Sequence, residues 1–344
     1  MALTTLLALL VSGCASLAPT EGRLPAVAVP SAWAGSSGNA ATSGAVTALA
    51  RWWTRFDDPQ LTALVEQSLN ANTSVRTAQA SLQQARAQVD VQSAGLAPSV
   101  GASGSAQRSR ANNSTGNTFQ AGFDASWEPD VFGRLRSGVN ASEAEARAAE
   151  ASLADVQVSL AAEVAVNYIE LRGLQQRLAI ARSNLASQQE TLQITQWRLQ
   201  AGLTTSLVTE QARAAAEQTA AQVPSLEASL AQSRYRLAVL TGQVPGALDA
   251  SLVASAPVPQ PTAELALAIP ADTLRQRPDV RAAEQRIAAA LARVSQADAA
   301  RYPSFSLGGS LGLRALTLGA LSGGGAVTSA LLGSVSIPLL DGGA

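Results

Sequence analysis

Residues that could perform covalent or acid-base chemistry are few in this 344-residue chain. It has no histidine and a single cysteine, which excludes imidazole catalysis, cysteine-histidine pairs, intrachain disulfides and cysteine-rich zinc sites. Carboxylate pairs such as Glu143 and Glu145, or Glu163 and Glu170, are the remaining candidates for acid-base work. They lie in a stretch of helical periodicity, where solvated charge is the ordinary expectation. We therefore predict no enzyme, no metal site and no cofactor.

Charge and composition exclude a second class of function. Lysine and arginine number 24 and aspartate and glutamate 25, so the net charge is -1 and no excess of positive charge is available for a nucleic-acid partner. Apolar residues make up 47% of the chain but aromatic residues only 4%. Such small apolar side chains favour close packing between helices.

The single cysteine, Cys14, follows an uncharged apolar segment at residues 2–11. This segment is half the ~20 residues that a membrane-spanning helix needs, so residues 1–13 are predicted to be a signal peptide. Val11-Ser12-Gly13 before the cysteine resembles a bacterial lipobox, which predicts lipid attachment at Cys14. A lone buried thiol is the alternative.

Residues 14–57 are predicted to be a lipid-anchored tether. Residues 15–50 are rich in alanine, serine, proline, glycine and threonine and show no periodicity. The tether ends at Trp52, Trp53 and Phe56, whose spacing indicates a packed junction. Asp57 or Asp58 can cap the helix that follows, with Pro59 in its first turn.

The chain contains an internal repeat at an offset of 205 residues. Val75-Arg76 matches Val280-Arg281, and Pro98-Ser99 matches Pro303-Ser304, without a gap. In each copy an alanine-rich helical pattern ends at the proline and changes to period two. The predicted helices are Ser74–Ala97 and Asp279–Tyr302.

Period two is clearest at Thr118–Trp127, where one face is apolar and the other polar, and Phe305–Leu313 repeats it. Ser99–Gln107 and Val327–Ile337 follow the pattern more weakly. Polar links at Ser109–Asn117 and Arg314–Ala326 would join these strands into hairpins at 99–127 and 304–337. The residues predicted to face lipid are Phe119, Phe123, Trp127, Phe305 and Leu307.

Strands of about ten residues suit an outer-membrane barrel, where lipid-facing and lumen-facing residues alternate. A soluble, half-buried sheet alternates in the same way and is the alternative. Four strands cannot close a barrel, and an open edge in hydrocarbon leaves backbone groups unpaired. Strands that span a membrane would therefore require an oligomer.

A very long helix is predicted at 134–201, which lacks proline and carries a coiled-coil stripe of apolar residues from Leu153 to Leu199. Gly202 is predicted to cap it in the left-handed conformation. Leu203-Thr204-Thr205-Ser206 would then turn the chain into a returning helix at 207–241, which Pro224 is expected to split.

The predicted organisation follows from these segments. It consists of a first repeat at 58–241, whose turn at 202–206 is its tip, a connector at 242–269, and a second repeat at 270–344. The second repeat contains a helix at 279–302 and a hairpin at 304–337. It stops where its own long helix should begin, which predicts a C-terminal truncation.

Three motifs carry a family resemblance across nearly the whole chain. They are Trp52-Trp53-Thr54-Arg55-Phe56-Asp57-Asp58-Pro59-Gln60-Leu61, Trp127-Glu128-Pro129-Asp130-Val131-Phe132-Gly133-Arg134, and Ile269-Pro270-Ala271-Asp272-Thr273-Leu274-Arg275-Gln276-Arg277-Pro278-Asp279-Val280-Arg281-Ala282-Ala283-Glu284. In this order they resemble the outer-membrane efflux factor family, which is TolC- and OprM-like, and specifically its NodT-type lipoproteins.

The resemblance implies a mainly α-helical fold with membrane β-strands. Long antiparallel coiled-coil helices would form a periplasmic α-barrel, and four strands per chain would contribute to one β-barrel shared by a homotrimer in the bacterial outer membrane and its lipid. The protein would be the exit duct of a tripartite efflux pump that passes drugs or other small solutes outward. Its partners would be a periplasmic adaptor (membrane fusion) protein and an inner-membrane RND-type transporter.

The resemblance also assigns the tip to adaptor docking, through Gly202, Leu203, Thr204, Thr205 and Ser206. Family members usually carry an acidic residue six positions after this glycine, where the present chain has Val208. The family's gate residues would lie beyond Ala344.

Other functions remain open at this stage. A duct for type I protein secretion or metal efflux would have the same fold, although the absence of histidine and the single methionine argue against a metal relay. A non-channel structural envelope lipoprotein could use the same coiled coils. Such a spacer would have no need for the repeated hairpins.

Overall fold

The computed structural model describes residues 51–111, 114–261 and 276–340. The chain packs as two units, which are treated one at a time. The described parts of the first unit are 81–111, 114–151 and 278–340, and those of the second are 51–80, 152–261 and 276–277. None of the described helices combines the length and the hydropathy that a membrane span requires.

Long helices and a pair of hairpins make up the described chain. In chain order the elements are α1 (Pro59–Ala71), α2 (Thr73–Ala94), β1 (Ser99–Ala111), β2 (Ser114–Trp127), α3 (Arg134–Gln200), α4 (Ser206–Leu240), α5 (Asp249–Leu252), α6 (Pro278–Ala299), β3 (Ser304–Ala315) and β4 (Val327–Ser336). Short 3-10 turns lie at Trp52–Phe56, Gly319–Ser322 and Gly324–Ala326.

The sequence repeat is also a repeat of structure. Helices α2 and α6 begin 205 residues apart and end 205 residues apart, and strands β1 and β3 begin at the same offset. Both predicted helices extend too far, because α2 ends at Ala94 and α6 at Ala299. In each copy a turn of several residues separates the helix from the proline that precedes the strand.

Asn72 separates α1 from α2 by leaving helical geometry, with φ -67° and ψ 137°. Its side-chain oxygen accepts a hydrogen bond from the backbone N–H of Ser74 at 2.8 Å, and its amide donates to the carbonyl of Leu240 at 2.9 Å. Asp58 caps α1 by accepting from the N–H groups of Gln60 and Leu61, as the sequence predicted.

Helix α3 has 67 residues and is about 100 Å long at 1.5 Å per residue. Asp130 caps it, because its carboxylate accepts from the backbone N–H groups of Leu135 at 3.0 Å and Arg136 at 2.8 Å.

Helix α4 runs through Pro224 without interruption, so the prediction that this proline splits the helix is wrong. A proline removes one backbone hydrogen bond and its ring crowds the carbonyl four residues earlier, which can kink a helix without ending it. Pro224 is exposed, and water can therefore hydrate the carbonyl of Ala220, which loses its helical partner.

The core of the second unit is formed where α3 meets α1, α4 and the 3-10 turn at Trp52–Phe56. Trp53 is buried there, so the aromatic junction predicted at the end of the tether exists. The apolar stripe that α3 carries from Leu153 to Leu199 is fully buried only in the central part of the helix. The core residues are Trp53, Leu61, Leu64, Val65, Val75, Leu160, Ala161, Val164, Ala165, Tyr168, Leu171, Leu237, Ala238, Leu248 and Leu252.

The described strands form one antiparallel sheet in the order β1-β2-β3-β4. Ser99 pairs with Ser126, Phe123 with Leu311, and Leu307 with Gly333. Strands β1, β2 and β3 are longer than predicted, since β1 reaches Ala111, β2 starts at Ser114 and β3 reaches Ala315. The predicted link at Ser109–Asn117 is therefore mostly strand, which its composition hides because both faces of the hairpin are polar there, whereas the link at Arg314–Ala326 lies mostly outside the strands.

Candidate functional site

One face of the sheet in the first unit is apolar along all four strands. Phe123 lies between Ala102 and Leu311, and Trp127 pairs with Leu307. Phe123 is 61% exposed and Leu331 89%, so nothing else in the described chain covers the middle of this face. Its apolar residues are Val100, Ala102, Phe119, Ala121, Phe123, Ala125, Trp127, Phe305, Leu307, Leu311, Leu313, Val327, Leu331 and Val335.

The opposite face is small and polar. Serine, glycine and glutamine fill most of it, and its hydroxyls pair across strands. The hydroxyls of Ser306 and Ser334 lie 2.6 Å apart, and Ser103 donates to the carboxylate of Asp124 at 3.0 Å. A surface of this kind is wettable, which suits the inner wall of a water-filled barrel.

The apolar face is nearly as tall as the apolar band of an outer-membrane barrel. Eight residue steps separate Phe119 from Trp127, which is about 26 Å along the strand at 3.3 Å per residue and about 20 Å of height for a strand tilted by ~40°. Outer-membrane barrels carry an apolar band about 25 Å tall with aromatic residues at both borders. Phe119 and Trp127 lie at the two ends of the apolar stretch of β2.

An aromatic cluster marks the end of the sheet nearest the helices. The ring of Phe132 stacks on Tyr302 with centroids 5.1 Å apart and faces Phe305 at 6.4 Å. The indole N–H of Trp127 donates to the carbonyl of Leu96 at 3.0 Å. Aromatic side chains with a polar tip, such as Trp and Tyr, are enriched at the membrane–water interface.

The predicted tip, at 202–206, is a capped turn between α3 and α4. Gly202 has φ +74°, where a side chain would be strained. The N–H of Leu203 donates to the carbonyl of Arg198 at 2.8 Å and that of Gly202 to Leu199 at 3.0 Å, which is the Schellman pattern.

Apolar side chains are exposed around this turn. Leu203 is 70% exposed, Leu207 66% and Trp197 58%. Thr204 is half-buried, and Thr205 precedes α4 as its N-cap without a side-chain hydrogen bond. Exposed apolar residues at one end of a helical hairpin provide a surface for contact with another helical protein.

A buried arginine organises the second unit, and sequence reasoning missed it. Arg172 on α3 is 2% exposed and uses all five of its N–H donors. They reach the hydroxyl of Tyr168 twice at 3.1 Å, the side-chain oxygens of Gln60 and Gln175, and the carbonyl of Ala254.

Tyr168 links this arginine to the cap of α1. Its hydroxyl donates to Asp58 at 2.8 Å, and the Arg172 guanidinium lies 5.0 Å from the centre of its ring. Burial raises the pKa of Tyr168 above its usual value, so the hydroxyl stays protonated and can donate. The network therefore joins α1, α3 and the segment after α5 through one buried charge.

The predicted N-terminal features lie wholly or mostly outside the residues that the structure describes. Cys14 lies outside the described residues, as do the predicted signal peptide and most of the tether. The described residues contain no group of three or more histidine, cysteine, aspartate or glutamate side chains that could hold a metal.

Comparison with known proteins identifies the family. The family model described as outer membrane efflux protein matches residues 64–243 and 269–344, which together exceed half of the chain. The chain belongs to the outer membrane efflux protein family. It is 32% identical over 357 residues to Nodulation protein T of Rhizobium leguminosarum bv. trifolii, across 99% of this chain and 73% of that protein.

Other relatives of this outer membrane efflux protein are channels and pump components. Outer membrane protein OprJ of Pseudomonas aeruginosa is 31% identical over 99% of the chain and 72% of its own length. The solved structure of the outer-membrane channel OprN superposes with a TM-score of 0.85 at 36% identity, covering 93% of this chain and 73% of that one.

These matches confirm the predicted family, the mainly helical fold with membrane β-strands, the efflux function and the outer-membrane location with a periplasmic tunnel. Members of the family are efflux channels rather than enzymes. Among its relatives, toluene efflux pump outer membrane protein TtgF of Pseudomonas putida is 32% identical over 99% of this chain and 73% of its own length.

Proposed function

We propose that this protein is the trimeric exit duct of a tripartite pump, which passively conducts drugs or other small solutes out of the cell. The observation that carries the proposal is the four-stranded sheet with one apolar face and one polar face. Its apolar face suits lipid and its polar face suits a water-filled lumen. The transported substrate is set by the pump, because the duct performs no chemistry.

The open edges of the sheet argue for the trimer. β1 and β4 are the edge strands, and their outer edges have no strand partner among the described residues. Unpaired backbone groups in hydrocarbon cost several kcal/mol each, so the edges must pair with other copies. Three chains supply twelve strands, an even number within the range of outer-membrane barrels.

The carboxylates support a conducting rather than a catalytic role. Three of the four carboxylates considered for acid-base pairs on the long helix form ion pairs with arginines. Glu143 lies 3.6 Å from Arg147, and Glu145 pairs with Arg293. Glu163 lies 2.9 Å from Arg236.

Phe119, Phe123, Trp127, Phe305 and Leu307 are proposed to face lipid, because they share the apolar face. Phe119 and Phe305 are half-buried, while Phe123, Trp127 and Leu307 are exposed in the single chain. Lipid would cover all five in the membrane.

The tip is proposed to dock the adaptor through Gly202, Leu203, Thr204, Thr205 and Ser206. Gly202 shapes the turn, and Leu203 provides its most exposed apolar surface. Thr204, Thr205 and Ser206 place hydroxyl groups beside that surface, where they can bond to a partner's backbone.

The efflux role is tested in a strain that lacks its own duct but keeps the adaptor and the transporter. The full chain should restore export of a fluorescent pump substrate. Leu203→Asp should reduce export severalfold, because it places charge in the apolar docking surface. Val244→Asp is the matched control, since Val244 is 73% exposed and lies outside the tip.

Failure of the wild-type chain to restore export, with trimers present in the outer membrane, would contradict the duct. Equal export by Leu203→Asp and wild type would contradict only the docking assignment.

Lipid attachment is proposed at Cys14, the sole cysteine. Cys14→Ser should abolish incorporation of labelled palmitate and leave the precursor uncleaved at that site, because the acyl chains are transferred to the thiol. Metabolic labelling followed by gel electrophoresis measures both effects. Ser12→Ala is the control and should still be labelled. Continued labelling of Cys14→Ser would refute this assignment.

A further inference from the structure

Two arginines extend the apolar face of the sheet at the end far from the helices. Arg108 pairs with Asn117 and Arg110 with Thr115, both beyond the pair formed by Ala106 and Phe119. Because alternate residues share a face, Arg108 and Arg110 lie on the same face as Phe119 and Phe123. The strands continue through these positions, so their side chains are held on that face.

Their depth follows from the position of the apolar band. Phe119 marks the border of the apolar band at the end far from the helices, and Ala106 pairs with Phe119 across the strands. Arg108 is two residues further along β1 and Arg110 four, which places them about 7 and 13 Å beyond the border along the strand. This is the depth of lipid headgroups, and not of the hydrocarbon.

The end of the sheet that joins the helices is the end opposite Arg108 and Arg110, across the apolar band. Strands β1 and β2 connect to α2 and α3 at Ser99 and Trp127, so Ala111, where β1 ends, and Ser114, where β2 begins, lie at the remote end of the hairpin. With the helices in the periplasm, this remote end faces the cell exterior. The headgroups that surround it are those of the outer leaflet.

The surrounding charge favours an anionic partner. Residues 99–123 and 304–340 contain three arginines and no aspartate or glutamate, although the whole chain has a net charge of -1. The cross-strand neighbours of the two arginines are the polar, uncharged Asn117 and Thr115. Guanidinium groups bind phosphate in a bidentate manner, and amide and hydroxyl groups can bond to the sugar or phosphate oxygens beside it.

We propose that Arg108 and Arg110 form a binding site for a phosphate-bearing lipid headgroup of the outer leaflet. This site rests on the proposed barrel, because it requires the apolar face to meet lipid. Binding of a headgroup at this site would fix the position of the barrel along the membrane normal and recruit anionic glycolipid around the barrel. Each arginine near the headgroups strengthens such binding about fivefold.

Native mass spectrometry of the full chain, purified from outer membranes in detergent, tests the site. The probe is lipid A, a phosphorylated glycolipid, titrated against its dephosphorylated form. Arg108→Gln should weaken lipid A binding about fivefold and the variant with Arg110→Gln added about 25-fold. Arg314→Gln is the matched control, because Arg314 pairs with Gln120 near the same border but on the polar face.

The Arg314→Gln control should bind lipid A with an affinity within about twofold of wild type. Equal weakening by Arg314→Gln, or unchanged binding by the double variant, would overturn the headgroup site while leaving the barrel intact. Equal binding of dephosphorylated lipid A would also overturn it, as would displacement of lipid A by millimolar inorganic phosphate. Recovery of the wild-type chain outside the membrane fraction would overturn the site and the barrel together.

Discussion

Replacing Phe123 with arginine is expected to prevent stable insertion of the chain into the outer membrane. Phe123 lies four residues from Phe119 and four from Trp127, and therefore at the middle of the apolar band. A charged side chain at the bilayer midplane costs roughly 2 to 4 kcal/mol per chain. Three copies in one trimer would multiply that cost, and heat-resistant trimers in the outer-membrane fraction should disappear.

Asp124→Asn is the control for this experiment. Asp124 is the next residue on the same strand, but it lies on the polar face beside the hydroxyl of Ser103. An asparagine can accept the same hydrogen bond, so assembly should match wild type. Equal tolerance of both substitutions would show that the apolar face does not meet lipid.

Replacing Arg172 with leucine is expected to destabilise the second unit by about 3 to 5 kcal/mol. The leucine would leave the side-chain oxygens of Gln60 and Gln175 and the carbonyl of Ala254 without their donor. It would also remove the two guanidinium donors from the Tyr168 hydroxyl, which in turn donates to Asp58. Thermal unfolding of the purified protein, followed by circular dichroism, should show a clearly lower midpoint.

Arg177→Leu provides the comparison, because Arg177 lies on the same helix but is exposed. Its replacement should change the free energy of unfolding by no more than about 0.5 kcal/mol. Similar melting temperatures for Arg172→Leu and Arg177→Leu would mean that the buried network contributes little. Because Arg172 is remote from the tip, export by any surviving trimers should be normal.

Much of the fold could be predicted because its signals are periodic and repeated. The apolar stripe of α3 specifies a helix over its whole length, and Gly202 marks its end. The match of Pro98-Ser99 with Pro303-Ser304 places both hairpin entries. Alternation at Thr118–Trp127 identifies the apolar face, since a strand has a period of two.

The strand ends could not be predicted in the same way. Gln107, Arg108, Ser109 and Arg110 are all polar, so they show no alternation that distinguishes strand from loop. Cross-strand hydrogen bonds to β2 nevertheless continue through them. For this reason Arg110 falls inside the predicted polar link at Ser109–Asn117, and Arg108 lies just beyond the predicted end of the strand.

The buried network was missed for a different reason. Arg172 follows Leu171 of the apolar stripe, and a sequence does not reveal which charged residue of a helix is covered by another segment. Gln60 and Ala254, which bind it, are distant in sequence. No local pattern connects these three residues.

The contact between β2 and β3 also determines the order in which the sheet can fold. Its partners are 180 to 196 residues apart in sequence, whereas each hairpin closes a short loop. Closing the long loop is entropically costly, so the hairpins form early and join late. The backbones approach closely at Gly122 and Gly312, where an added side chain on either would lie 2.8 Å from the other strand. The apolar face is therefore completed only when β2 and β3 meet across the long intervening segment, which delays a full membrane-inserting surface until late in folding.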